Sequence, residues 1–233
     1  MESARKEGIY MELIIDSSDI QSIKELNELL TIKGVTTNPT IITKSQRPAE
    51  DVIQDLVDLL DDDQLLFIQA VQTDTAGIIE EAKYIASLRK KNTYVKIPVT
   101  HEGLKAIKEV HKLGIGILAT AIYTADQGFL AAMNGADYLA PYVNRMDNYG
   151  DGVQNVVELI EMLKVNNMPT KVVAASFKNT RQVHELIHAG IQAVTIPVDV
   201  AFNMINHPGT TIAVDEFSAN WQKAYGRNTL VKK

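Results

Sequence analysis

The chain has 233 residues, 45% of them hydrophobic and 22% charged, with a net charge of −6 and no cysteine. That size suits one large domain or two small ones of ordinary globular composition, and the acidic balance argues against a broad nucleic-acid-binding face. The lack of cysteine excludes disulfides, a thiolate nucleophile and Cys-ligated zinc or iron–sulfur sites, and fits a reducing, cytoplasmic location.

Residues 1–10 are polar and mixed in charge, lack the apolar region of a signal peptide, and read as an extension ahead of a fold beginning near Met11. Glu12 to Asp16 is the first short apolar run, followed by a helix to about Leu30 that Ser18 opens, with Gln21 completing a capping box. Gly34 to Thr37 is a second strand, broken by Asn38-Pro39. Pro48 to Asp62 places Val52, Ile53, Leu56, Leu59 and Leu60 on one helical face, with Asp61-Asp62-Asp63 as its solvated end. Leu65 to Val71 is the third strand and Thr75 to Lys90 the next helix. The fourth strand contains Tyr94-Val95-Lys96-Ile97-Pro98-Val99-Thr100; a helix over 101–113 ends at Gly114, a C′ residue. Gly116 to Ile122 is a strand, and Thr124 with Gln127 caps the helix after it. Asp137 to Val143, Lys171 to Ser176 and Gln192 to Val198 are the last strands. Helices follow them over 152–166, 180–189 and 198–205, with a final one over 211–225. No run of 18 apolar residues occurs, so no membrane partner is expected.

Eight strands, each followed by a helix and continuously apolar as if covered on both faces, point to the α/β class. Eight such units in about 220 residues match a single (β/α)8 TIM barrel over 11–227, with an extra C-terminal helix and a tail over 228–233. A doubly wound open sheet is the competing fold, but Asp16-Ser17-Ser18-Asp19 stands where its Gly-rich turn belongs.

Barrel active sites sit at the C-terminal strand ends. Those ends offer Asp16, Thr36, Asn38, Gln69, Lys96, Thr120, Tyr142, Asn144, Arg145, Ser176 and Lys178. Each alone has a plain structural use: Lys96 reaching solvent, Asp16 as a cap, Asn38 as a turn residue. Together they form a polar crown. An amine on an apolar strand is desolvated, loses its charge more readily and becomes a nucleophile toward carbonyls. Tyr142, Gln69 and Thr120 are placed to hold one water for the proton relay that a carbonyl adduct needs. Near Lys96, the Tyr142 phenol is expected below its usual 10. Asp16 is suited to steering protons or to binding a substrate hydroxyl. Arg145 and Lys178, with the Ser176 hydroxyl, suit a phosphate.

Four segments in order resemble the transaldolase family of class I aldolase barrels: Gly34-Val35-Thr36-Thr37-Asn38-Pro39, Val95-Lys96-Ile97-Pro98, Tyr138 to Arg145, and Ala174-Ala175-Ser176-Phe177-Lys178. The likeness spans Met11 to about Arg227. Within the family the small-subunit branch is most similar, and within it the fructose-6-phosphate aldolases. Classical transaldolases carry Glu where this chain has Gln69, and Phe where it has Tyr142. The resemblance implies that Lys96 forms the Schiff base with Tyr142 as its acid/base. It places Asp16, Asn38 and Thr36 on the donor hydroxyls and Arg145, Ser176 and Lys178 on phosphate. It implies no cofactor and no metal, a sugar-phosphate substrate, and a pentameric or decameric homo-oligomer. Ala119, where close relatives usually have glycine, and the N-terminal extension are departures.

The resemblance implies cleavage of fructose 6-phosphate to dihydroxyacetone and glyceraldehyde 3-phosphate. The alternatives are a transaldolase of the pentose phosphate pathway and a non-catalytic sugar-phosphate binder, which retention of Lys96 with its relay disfavours. His184-Glu185-Leu186-Ile187-His188 matches the H-E-x-x-H zinc pattern. Its helix belongs to the outer ring, with Val183, Leu186 and Ile187 packed on the barrel and no third ligand, so a solvated face is the stronger reading. Phe217, Trp221 and Tyr225 have helical spacing and are expected to pack on the barrel or on a neighbouring subunit.

Overall fold

The computed structural model describes residues 11–231; the expected extension over 1–10 and the end of the tail, 232–233, lie outside them. Helices and strands alternate from β1 (Glu12–Asp16), α1 (Ile20–Leu29), β2 (Gly34–Thr36), α2 (Pro39–Thr43), α3 (Ala49–Leu59), β3 (Leu65–Gln69) and α4 (Thr75–Ser87) to β4 (Thr93–Pro98) and α5 (His101–Lys112). They continue with β5 (Gly116–Ile122), α6 (Ala125–Met133), β6 (Tyr138–Pro141), α7 (Val143–Met146), α8 (Gly152–Val165), β7 (Lys171–Ala174), α9 (Thr180–His188), β8 (Ala193–Ile196), α10 (Val198–Ile205) and α11 (Pro208–Tyr225). Every strand pairs in parallel with its neighbours, and β1 pairs with both β2 and β8. The sheet is therefore a closed barrel, the single (β/α)8 TIM barrel with a C-terminal helix, and not an open doubly wound sheet.

Period-two alternation explains why the strands read as continuously apolar. Ile15, Val35, Ile68, Val95, Ile97, Ile117 and Leu139 point outward into the layer shared with the helices. Ile14, Leu65, Phe67, Leu118, Tyr138, Ala140 and Val173 fill the barrel itself. Phe67 stacks on Tyr94 with ring centroids 5.1 Å apart, and Tyr138 meets both rings edge-on at 5.3 and 5.2 Å. Such pairs contribute about 0.5–1.5 kcal/mol each beyond area burial. These rings plug the barrel below the strand ends. Gly34 allows β2 to approach β3, since a Cβ there would lie 2.2 Å from the Leu65 carbonyl oxygen.

Several local expectations need correction. Asp19, not Ser18, caps α1: its carboxylate accepts from the Gln21 and Ser22 amides, while the Ser18 hydroxyl donates to the Ile41 carbonyl. Thr124 caps α6 as expected, but Gln127 reaches back to the Tyr123 amide rather than to Thr124. Asn38-Pro39 ends β2 and also starts a helix, because Asn38 Oδ1 accepts from the Ile41 amide and proline suits the first helical position. β6 stops at Pro141, and the chain turns at once into α7. Gly114 takes φ +69° beyond α5, the left-handed conformation the sequence requires of it. Ile187 does not pack on the barrel; it is exposed, and the buried residues of α9 are Gln182, Val183 and Leu186.

Candidate active site

The strand ends enclose a cavity of about 470 Å3. Eight of the eleven residues that the sequence offers at the strand ends line it: Asp16, Asn38, Gln69, Lys96, Tyr142, Arg145, Ser176 and Lys178; Asn144 does not. Thr36 and Thr120 are fully buried behind it. Thr36 supports Asp16 from beneath, and Thr120 supports Tyr142.

Lys96 follows Tyr94 on the inward face of β4, one pleat above the aromatic plug, and is 3% exposed. Its Nζ donates to the Thr37 carbonyl at 2.6 Å. Burial pushes the amine below its ordinary 10.5, against the opposing pull of the Asp16 carboxylate. Asp16 ends β1. Burial pushes its carboxyl above the ordinary 3.8, opposed by Lys96, the Thr36 hydroxyl, Lys44 and Arg145. Thr36 Oγ1 donates to Asp16 Oδ1 at 2.7 Å and lies 2.6 Å from Thr195 Oγ1 on β8. Since Thr36 spends its proton on Asp16, Thr195 is the donor of that second contact.

The Tyr142 phenol oxygen accepts from Thr120 Oγ1 at 3.2 Å, which leaves the phenol proton free for the cavity. The expected lowering of this phenol does not occur. Burial raises it above 10, outweighing the Thr120 bond and the Arg145 charge, so Tyr142 is a proton donor at neutral pH. The Arg145 guanidinium lies 4.8 Å from the centre of the Tyr142 ring, and Tyr123 meets that ring edge-on at 6.0 Å. Gln69 is at the cavity wall, and its Oε1 is buried with no hydrogen-bond partner. Ala121 (φ +56°), beside the register shift of β5 against β6, and Ser176 (φ +62°) hold left-handed backbone at the cavity wall. This is strain of the kind that functional sites store.

Sequence reasoning missed four participants. Lys44 and Tyr123 line the cavity from the end of α2 and just beyond β5; Thr37 supplies the carbonyl that holds Lys96; Thr195 completes the hydroxyl chain to Asp16. Thr195 lies at the end of an apolar strand, so the crown logic applied to the other strands also covers it. Lys44 and Tyr123 had no such signal. His184 and His188 are exposed on α9, and among the described residues no three His, Cys, Asp or Glu side chains gather as a metal site.

A barrel whose strand ends surround a buried amine of lowered basicity with a carboxylate and a phenol defines an enzyme of the aldolase/transaldolase class. The chain belongs to the transaldolase/fructose-6-phosphate aldolase family, which it matches over residues 13–230. Solved structures agree on the fold alone. A cube-shaped, highly porous protein cage designed by fusing symmetric oligomeric domains is similar at TM-score 0.58 and 16% identity, over 92% of this chain and 78% of that one. Thiamine phosphate pyrophosphorylase from Pyrococcus furiosus gives 0.56 and 16%, over 83% and 88% of the two chains. A native KDPGal structure gives 0.54 and 16%, over 83% and 84%.

Proposed function

We propose that this protein is a class I aldolase that cleaves fructose 6-phosphate to dihydroxyacetone and glyceraldehyde 3-phosphate, and forms it in reverse. The observation that carries the reading is the neutral-leaning Lys96 amine in one cavity with Gln69 and the Tyr142 phenol. Lys96 Nζ attacks the C2 carbonyl, the carbinolamine loses water, and an iminium forms. The C4 hydroxyl gives up its proton, the C3–C4 bond breaks, glyceraldehyde 3-phosphate leaves, and the bonding electrons pass into an enamine. Protonation at C3 and hydrolysis then release dihydroxyacetone and the free amine. Tyr142 donates and recovers protons through a water that Gln69 Oε1 accepts from. Asp16, held by Thr36, and Asn38 face the donor hydroxyls; Arg145, Ser176 and Lys178 take the phosphate.

The family also contains transaldolases, which share the enamine and pass it to another aldose phosphate. Gln69 and Tyr142 favour the lyase, because Gln cannot ionise and a phenol can replace the carboxylate as proton carrier. The deciding assay supplies fructose 6-phosphate with and without erythrose 4-phosphate. Release of free dihydroxyacetone at a rate comparable to turnover supports the lyase; transfer with no measurable release refutes it. We further propose a homo-oligomeric, pentameric or decameric, cytoplasmic enzyme. In support, α11 buries no residue and exposes Ile212, Phe217 and Tyr225, and no described helix is long and apolar enough to cross a membrane.

A further inference from the structure

Gln182 stands outside the cavity, on the inner face of α9, and is 7% exposed. Its side chain spends every hydrogen-bonding group on the two segments that carry the site's cations. Oε1 accepts from the Lys178 amide at 3.1 Å, in the loop after β7. Nε2 donates to Asp147 Oδ2 at 2.8 Å, just past the end of α7, and to Asn144 Oδ1 at 3.3 Å, on its second residue. Asp147 Oδ1 meanwhile accepts from the Gly152 amide at 2.9 Å, fixing the far side of the carboxylate. The amide orientation is dictated by its partners: an N–H at Lys178 requires the oxygen, and a carboxylate at Asp147 requires the amino group. Arg145 lies between Asn144 and Asp147, and Lys178 carries the second cation. Backbone bonds tie the start of α7 to the chain after β7, from the Val143 amide to the Ala175 carbonyl at 3.0 Å and from the Asn144 amide to the Ser176 carbonyl at 3.2 Å, but neither reaches Lys178.

We infer that Gln182 is a positioning residue that fixes the separation of Arg145 and Lys178, and so makes the enzyme selective for phosphorylated aldehydes. The inference rests on the assignment of those two cations to phosphate. Without the amide bridge, Lys178 and the far end of α7 lose the link between them that lies beyond the backbone bonds at Val143 and Asn144, and the two cations lose the pre-organisation that doubly held phosphate needs. The apolar floor and Lys96 are untouched, and Tyr142 keeps its Thr120 bond to β5 even where Arg145 shifts over its ring, so chemistry on an unphosphorylated aldehyde persists.

The test compares KM and kcat for glyceraldehyde 3-phosphate and unphosphorylated glyceraldehyde, with dihydroxyacetone as donor, and measures competitive inhibition by inorganic phosphate. Gln182→Leu should raise KM for the phosphorylated acceptor and the inhibition constant for phosphate by roughly tenfold to a hundredfold. Both constants for glyceraldehyde should stay within about threefold. Gln182→Glu sets two carboxylates face to face and should behave likewise. Adding Asp147→Asn restores a donor opposite an acceptor and should recover most of the loss, so the exchange pair decides the matter even if Gln182→Leu folds poorly. Arg145→Ala and Lys178→Ala run alongside. If they fail to discriminate between the two acceptors, the phosphate assignment falls and this inference with it. If they discriminate and the Gln182 variants hurt both acceptors equally, or neither, the positioning role alone is overturned.

Discussion

Replacing Tyr142 by Phe removes a single oxygen whose surroundings are known, so its structural and chemical costs separate. The oxygen accepts one long hydrogen bond, 3.2 Å from Thr120 Oγ1, a neutral contact contributing about 0.5–1.5 kcal/mol. Thr120 is fully buried, so stranding its hydroxyl brings the expected destabilisation to about 1–3 kcal/mol. At this chain length that is a fall in Tm of roughly 2–4 °C per kcal/mol. The Arg145 guanidinium 4.8 Å above the ring and the Tyr123 edge at 6.0 Å stay in place, so the wall of the cavity keeps its shape. Catalysis should suffer far more. Burial keeps the phenol protonated at neutral pH and its proton faces the cavity, so losing it removes a general acid worth about 10²–10⁴ in rate, or about 2.7–5.5 kcal/mol of barrier. The assay is kcat and KM for fructose 6-phosphate cleavage, coupled to reduction of the released aldehyde, beside a thermal melt. A hundredfold loss in kcat with KM within a few-fold and a melt well above assay temperature is expected. The reasoning is falsified if kcat stays within about threefold of wild type, or if the loss simply tracks unfolding.

Borohydride reduction with fructose 6-phosphate or dihydroxyacetone should add a three-carbon unit to a peptide containing Lys96, and Lys96→Arg should abolish it because a guanidinium stays protonated; a fully active Lys96→Arg enzyme would sink the mechanism. Burial raises the Asp16 carboxyl above 3.8, so the folded chain holds this proton more tightly than the unfolded one, and the stability it contributes is present below 3.8 and lost as pH rises through the raised value. Asp16→Asn, which keeps an acceptor for Thr36, should therefore melt with wild type near about pH 4 and above it at pH 7 while activity falls; a variant less stable at pH 7 would contradict this. EDTA should leave turnover unchanged, whereas inhibition reversed by zinc would revive His184 and His188 as ligands. Light scattering should show a mass several times the 25.8 kDa chain; a monomer at micromolar concentration would exclude the ring.

The barrel was legible because it is local: each strand is a short run with apolar residues on both faces, and each helix carries its own cap or stripe. What escaped were elements made by tertiary context. In sequence Asn38-Pro39 marks only a break, although the same pair is an N-cap and first helical residue, and α2 grows from it. α7 has four residues and no periodicity to detect. The site was legible where a polar residue interrupts an apolar strand end, as at Lys96, Gln69 and Tyr142. It was opaque where function depends on a backbone atom, as with the Thr37 carbonyl, or on a side chain outside any strand, as with Lys44. Gln182 shows no sign in sequence of its role, since its helix reads as an ordinary amphipathic segment until folding sets it against Asn144, Asp147 and Lys178.

The placement of Asp16 and Lys96 explains how one barrel makes a lysine amine easier to deprotonate than in water. In water the two would be an ion pair. In the barrel, burial raises the acid and lowers the base, and in each case it outweighs the partner's opposing charge. Both shifts move the pair toward its uncharged form, in which the ammonium proton has passed to the carboxylate side. The aromatic plug of Phe67, Tyr94 and Tyr138 keeps water from restoring the charges from below. The Thr195–Thr36 hydroxyl chain works the other way: by donating toward Asp16 it stabilises the carboxylate and keeps the carboxyl from rising without limit. The amine's reactivity is thus a balance between a dry floor and a wired acid, and substitutions in either should change the pH at which Lys96 forms its adduct before they change how tightly substrate binds.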